Sequence, residues 1–282
     1  MTYQVSGLRK FDRQFLQEGR ARRPRYLETE PECWMCPERG ASMTREHIFG
    51  RWIKKHLPRE DLVFDPHRAG PLGLDYSDVR GPMPLDALQV GRVCAPCNNG
   101  WMSRLEDFAE QALFSADRDL DAAEALQLAH WAIKTAVVMN VSQPSPLIWP
   151  EADRHRVKAG PFQRTAVSAL RVEGANANWA QGEMRSLTVQ THAQEAMVLL
   201  NLVATVRIRL NDIVLITARL PWQMSGCSVS LPGKTIWDGS KAHAVSLDAL
   251  PLSPDWLDGL ISIDGSLESA FWANPARDFW SS

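Results

Sequence analysis

Two Cys-x-x-Cys pairs, Cys33 with Cys36 and Cys94 with Cys97, constrain this chain more than any other feature. Four thiolates close a tetrahedral zinc shell with Zn–S near 2.3 Å and no open position, so the site they imply is structural. Buried free thiols or a redox pair are the other readings of such cysteines. The gap between the pairs is 57 residues. A compact zinc ribbon uses only about 15–20. If both pairs share one ion, the intervening chain must leave the metal and return to it, so an insertion separates the two knuckles. Closure would contribute folding energy on the order of 10 kcal/mol to a region with little core of its own. The fifth cysteine, Cys227, stands alone and reads as a buried apolar residue.

The rest of the composition fits a soluble globular protein of one or two domains. The chain has 282 residues, 45% apolar and 23% charged, which excludes a mostly disordered, collagen-like or disulfide-dense chain. Its longest apolar run, Ala196–Ala204, is broken by Asn201 and falls far short of the roughly 20 residues that cross a bilayer. The first thirty residues carry no apolar signal region, so a cytoplasmic site is expected. The net charge of −2 argues against a bulk polyelectrolyte binder, but its distribution is uneven. Residues 1–55 hold twelve Lys+Arg against seven Asp+Glu, and the remainder hold 19 against 26. A basic N-terminal fifth on an acidic body suits a phosphate backbone, and equally a solvated face.

Four stretches follow along the chain. Residues 1–29 are a basic segment with Arg20, Arg22, Arg23 and Arg25, preceded by a hint of helix at Phe11, Phe15 and Leu16. Residues 30–115 hold the motifs, interrupted by a Pro/Gly-rich stretch at Asp65–Pro84 that reads as a long loop or insertion. Helical spacing begins at Trp101 and runs to about Ser115. Residues 116–145 form a helical bridge, with Leu126, Ala129, Ile133, Ala136 and Val137 on one face and Trp131 and Val138 widening it. Residues 146–282 are an α+β, β-rich C-terminal domain. Strands are expected at Val167–Val172, Leu187–Thr191 and Val198–Leu210, the last returning through Asn211-Asp212 as Ile213–Ala218. A helical reading of Ala193–Val203 stays open. The fold class is α+β.

The gap between the knuckles carries the sharper signal. Within Thr44-Arg45-Glu46-His47-Ile48-Phe49, Glu46-His47 lies ten residues beyond the first knuckle, and Asn98 follows directly on the last cysteine at the start of the expected helix. In this combination the chain resembles the HNH endonucleases, the ββα-metal or His-Me finger nucleases, of the four-cysteine zinc type. The family pattern is a knuckle, an acidic-His dipeptide on a first strand, a second knuckle, then Asn or His opening a helix. Here those residues are Cys33 and Cys36, Glu46 and His47, Cys94 and Cys97, and Asn98. The stretch from Cys97 to Glu106 also resembles bacterial proteins carrying this domain. The likeness covers about residues 30–110.

The resemblance implies a zinc-stabilised ββα-metal module and a phosphodiesterase mechanism. His47 would be the general base, drawing a proton from the attacking water; an imidazole with a pKa near 6.5 suits that task. Glu46 and Asn98 would hold one catalytic divalent cation, usually magnesium, for which oxygen donors are apt. The partner would be nucleic acid, most plausibly DNA. Arg45, Arg51, Lys54, Lys55 and Arg104 are candidate phosphate contacts, each alone readable as a solvated charge. Trp34, Trp52 and Trp101 are expected to pack the module, and His130 to sit in the core. The chain departs from the family in carrying Glu where many members have Asp. It also has no Asn between Cys36 and Asn98, so the family's middle position has no assigned residue; His56 and His67 are the nearest histidines. The C-terminal domain would select substrate, sense a ligand or build a homodimer. The rival reading is an inactive zinc-stabilised module that binds nucleic acid or protein.

Overall fold

The computed structural model describes residues 32–38, 41–56, 63–64, 67–69, 76–78, 83–84, 89–115, 118–142, 149, 151–161, 164–172, 180–193, 196–210, 212–219, 228–253 and 262–264. The basic segment 1–29 and Cys227 lie outside the described residues. The described part is mixed helix and sheet.

Strand β1 (Met43–His47) pairs antiparallel with β6 (Gln89–Cys94), matching Met43 to Cys94 and His47 to Gln89. Between these strands come helix α1 (Ile53–His56) and four short strands: β2 (Val63–Phe64), β3 (His67–Ala69), β4 (Tyr76–Asp78) and β5 (Met83–Pro84). The stretch expected as irregular loop therefore contains nested ladders, β2 with β5 outside and β3 with β4 inside. After β6, a π-helical turn at Cys97–Met102 leads into α2 (Ser103–Phe114). Gly100 carries the kink between them, at φ −103° and ψ −107°.

The bridge is a single helix, α3 (Ala122–Ser142), preceded by the short strand β7 (Asp119–Leu120). Its start is a capping box. The Asp121 carboxylate accepts from the backbone N–H groups of Ala123 and Glu124 at 2.7 and 2.9 Å, and Glu124 accepts from the Asp121 N–H at 3.0 Å. From Trp131 to Met139 every side chain is buried, so this helix is apolar nearly all round and lies at the centre. One correction applies to its face. Leu126 is 37% exposed, because Ala125, Leu128 and Ala129 supply the buried stripe at that end.

Beyond α3 come α4 (Glu151–Arg156), β8 (Thr165–Val172), β9 (Ala180–Ala193), β10 (Ala196–Leu210) and β11 (Ile213–Arg219). They are followed by β12 (Ser228–Ser230), β13 (Lys234–Trp237), β14 (Val245–Ser246), β15 (Leu252–Ser253) and β16 (Ser262–Asp264). The main sheet runs β13-β8-β11-β10-β9, with β15 parallel to the end of β8. The hairpin expected through Asn211-Asp212 is present, with Leu210 opposite Ile213. The helical reading of Ala193–Val203 is replaced by strand, since alternating Val198, Leu200 and Leu202 fits a two-residue period.

Helix α3 packs against α2 and β6 on one side and against β8, β10, β11 and β13 on the other. One continuous core consequently runs from the first knuckle, through α3, to Leu250. Asp153 of α4 is buried between Arg164 at 2.8 Å and Arg219 at 2.9 and 2.7 Å, which ties α4 to the sheet. Among the described residues, no helix is long and apolar enough to cross a membrane.

The capping box makes a simple test of how α3 is held. Asp121→Ala should lower unfolding free energy by about 1 kcal/mol, the usual worth of an N-cap. Leu126→Ala should cost under about 0.5 kcal/mol, as an exposed substitution does. Urea melts of the two variants check the order.

Candidate functional site

The four cysteines of the two pairs come together. Their sulfurs all lie within 4.8 Å of one another, and all four residues are buried. Cys36 Sγ is 3.7 Å from Cys94 Sγ. A disulfide needs about 2.05 Å, whereas the edge of a tetrahedron with Zn–S near 2.3 Å is about 3.8 Å. The cluster has the donor type, number and spacing to hold a zinc ion. The backbone supports charge on the sulfurs: Met35 N–H and Cys94 N–H point at Cys33 Sγ at 3.4 and 3.3 Å. The hydrogen bond with Cys97, helped by those two backbone donors and opposed by burial, holds the Cys33 thiol down to about 4. Backbone bonds also stitch the knuckles together, Trp34 N–H to Arg92 O and Ala95 N–H to Ser42 O, both 2.9 Å.

The cluster sets the neighbouring elements. Cys94 ends β6, Cys97 begins the π-helical turn, and Asn98 is the next residue. Asn98 Nδ2 donates to Thr44 Oγ1 at 2.8 Å, and Thr44 Oγ1 donates to Val93 O at 2.8 Å. Asn98 is thereby tied to β1. The β1–β6 register shifts between Thr44 and Glu46, and beyond that irregularity Glu46 is buried while its neighbour His47 is half-buried, as adjacent strand residues facing opposite ways are. Asn98 is thus tied to Thr44, and Glu46 and His47 point apart. His47 pairs across the strand end with Gln89, whose side-chain amide reaches its Nε2 at 3.0 Å. That contact fixes the orientation of the ring.

Glu46 is not a surface carboxylate. It is 6% exposed, and the ammonium of Lys134, from α3, lies 3.1 Å from its Oε1. Lys134 is fully buried, and its ammonium also contacts Glu106 of α2. Burial pushes the Glu46 carboxyl up, and the charge of Glu106 adds to this, against the pull of Lys134. Burial opposes charge on Lys134, but Glu106 and Glu46 outweigh it and hold its pKa above the ordinary value. The proton thus stays on the lysine. Glu106 has a second partner, since Trp52 Nε1 donates to its Oε2 at 2.7 Å. Gly50 permits that approach: a Cβ there would come within 2.2 Å of both Glu106 Oε2 and Trp52 Nε1.

The other expected residues are placed as follows. Arg45, Arg51 and Arg104 are exposed, and Lys54 is half-buried. Lys55, 70% exposed, pairs with Glu110 at 2.7 Å, which also holds His56 Nε2 at 2.9 Å. His56 stacks on Phe114 with ring centres 4.4 Å apart. Trp52 packs on Trp131, and Trp101 stacks on His130 at 5.4 Å. Trp34 is half-buried, with the Arg154 guanidinium 4.5 Å from its ring centre. His130 Nε2 donates to Val157 O; burial, against that bond, lowers its pKa and keeps the ring neutral near pH 7.

Sequence reasoning missed Gln89, Thr44, Glu106 and Lys134. Gln89 and Thr44 are isolated polar residues on short strands and carry no motif. Lys134 did carry a signal: it is the one charge in the otherwise uncharged run Ala125–Ser142. A charge in such a run needs a buried partner. No family model matches the chain, and neither a curated protein nor a solved structure matches it.

Purified protein should carry about one zinc per chain, and Cys94→Ser should lose both the metal and cooperative melting. Zinc requires thiolates, so the metal should leave as pH falls and protons compete for sulfur. Atomic absorption across a pH series from neutral to about 4 measures this. A folded protein with no zinc at neutral pH would refute the metal knot.

Proposed function

We propose that this chain is a metal-dependent endonuclease of the HNH, ββα-metal type that hydrolyses phosphodiester bonds, most plausibly in DNA. The observation that carries the reading is the sequence of supports around β1. The Glu46-His47 dipeptide sits at the end of an antiparallel pair whose second strand ends in a knuckle and passes directly into a helical turn carrying Asn98. The Asn98 amide is bonded to Thr44 of that same strand.

In this reading the four thiolates hold a structural zinc. His47 is the general base and takes a proton from water, once its Nε2 lone pair is released by the Gln89 amide N–H that it accepts from at 3.0 Å. Arg45, exposed beside Glu46 and His47 on β1, would contact a phosphate oxygen. Glu46 and Asn98 supply the oxygen donors for a divalent cation. When bound, that cation would stabilise charge on the phosphate and on the departing 3′ oxygen. The donor types fit a hard cation.

The ammonium of Lys134 on Glu46 favours the second reading, an inactive descendant that binds nucleic acid without cutting it. A carboxylate neutralised by a buried lysine is a poorer ligand for a cation than a free one.

His47→Ala should keep its zinc and its melting temperature but lose nicking of plasmid DNA in magnesium or manganese by a factor of about 10²–10⁴, the usual worth of a general base. A wild-type protein that binds DNA with steep salt dependence, yet never cuts DNA or RNA in any divalent metal, would replace the nuclease reading with the binding one.

A further inference from the structure

Beyond residue 55 the chain is acidic overall, yet one cavity there, of about 550 Å³, is walled by cationic side chains. Lys234 and Thr235 of β13 line it from one side, and Lys241 and His243 of the returning chain from the other, with Ala242 and Ala244 among them. Among the described residues that line it there is no carboxylate. Its frame is fixed. Gly233 leads into β13 at φ +92°, where a Cβ would come within 2.3 Å of Ala169 O on β8. Trp237 ends the strand, buried, and its indole donates to Thr165 Oγ1 at 3.1 Å. The chain turns over residues 238–241 and comes back, with His243 N–H bonded to Ile236 O at 2.9 Å. Asp238 builds that turn. Its Oδ1 accepts from the N–H and hydroxyl of Ser240 at 2.8 and 2.7 Å and from Lys241 N–H at 3.0 Å, while Oδ2 takes His243 Nε2 at 2.8 Å. Burial works against its charge, but these donors outweigh it and hold the carboxyl well below the usual range. Asp238 is therefore an anion with its oxygens engaged in the hairpin. His243 Nε2 donates to it, and Nδ1 is the ring nitrogen that can gain a proton.

We propose that this cavity binds a terminal phosphate group, a phosphomonoester carried by a nucleotide or by a nucleic-acid end, through Lys234, Lys241, Thr235 and His243. A phosphomonoester carries close to two negative charges at neutral pH. Two ammonium groups match that charge, the Thr235 hydroxyl adds a neutral donor, and His243 adds a donor at Nδ1 when protonated. A phosphodiester carries one charge and continues on both sides, whereas a monoester enters a closed-off space by its end. The cavity is larger than a phosphate, in the size range of small-molecule sites. That leaves room for the body of the ligand against Ala242 and Ala244. Strand β13 packs on the side of α3 that faces the main sheet, away from α2 and β6. The proposal therefore stands independently of the nuclease reading of Glu46 and His47.

The test is calorimetric titration of the full-length zinc-loaded protein at low salt, without added divalent metal. The probes are inorganic phosphate, adenosine 5′-monophosphate, and one short DNA oligonucleotide with and without a 5′-phosphate. Lys234→Met and Lys241→Met should each raise the dissociation constant of the phosphate-bearing probes about tenfold, the usual effect of losing a charge-assisted contact. His243→Gln should raise it by several-fold. Lys158→Met, an exposed lysine outside the cavity wall, should leave it unchanged. Lys234 and Lys241 are exposed, so their variants should fold, and melting curves establish that they do. If His243→Gln fails to fold, the two lysine variants decide. The unphosphorylated oligonucleotide should bind no differently to the lysine variants and the wild type. A nucleotide bound as tightly as the phosphorylated oligonucleotide identifies a small-molecule site, and preference for the oligonucleotide identifies a site for nucleic-acid ends. Failure of every phosphate-bearing probe to bind at millimolar concentration would overturn the proposal. So would an equal loss in Lys158→Met, or an equal loss for the oligonucleotide without its phosphate.

Discussion

Four sulfur atoms decide where the rest of the module can be. Bringing Cys36 and Cys94 together closes a loop of 57 residues. The length-dependent part of that closure costs about 4 kcal/mol. A structural zinc bound by four thiolates contributes on the order of 10 kcal/mol, so a metal knot offsets closure with a margin. The short ladders within the insert, two or three residues per strand, supply little that could do so instead. The knot also acts over short distances. β1 begins seven residues after Cys36, β6 ends on Cys94, and Asn98 follows Cys97. Three side chains of interest are fixed by their nearness along the chain to one cluster.

The second constraint is α3. A helix buried from Trp131 to Met139 cannot stand at the edge of a molecule. It needs cover on both sides, and it finds the knuckle module on one and the main sheet on the other. The segments that look separable in the sequence consequently share a core. This arrangement explains how a residue of the bridge can touch the motif. The same packing carries α1: Trp52 is held between Trp131 and Glu106, while Lys55 and His56 attach to Glu110 one turn further along α2.

Periodic and metal-binding features were legible before any coordinates. The four-cysteine cluster follows from spacing and residue type, and the helix at 122–142 and the hairpin at 196–219 follow from their periods. Where short-range pattern runs out, the reading fails. Leu126 was assigned to the buried face because a helical wheel counts spacing, whereas its exposure depends on which neighbours cover that turn. The insert looked structureless because strands of two or three residues are shorter than any alternation that can be seen. The pairing of His47 with Gln89, 42 residues apart, depends on strand register, which no local pattern states. Adjacent Glu46 and His47 were read as one unit, and strand geometry separates them to opposite faces.

The lysine triad raises a question of energetics that bears on function. A buried ion pair is weak ground for stability, because desolvating the charges cancels much of their attraction. Apolar side chains of similar volume would fill the space between β1, α2 and α3 at no such cost, and the surrounding helix is made of them. Core packing alone therefore gives no reason for a lysine and two glutamates there. Under the proposed reading of Glu46 as a cation ligand, a requirement for charge there gives one. An isolated buried carboxylate would take up a proton and cease to be a carboxylate. Lys134 beside it opposes that uptake, against burial and the charge of Glu106, which push the Glu46 carboxyl up. What the structure gives is the tie itself: through Lys134, α3 binds β1 and α2 at one buried point.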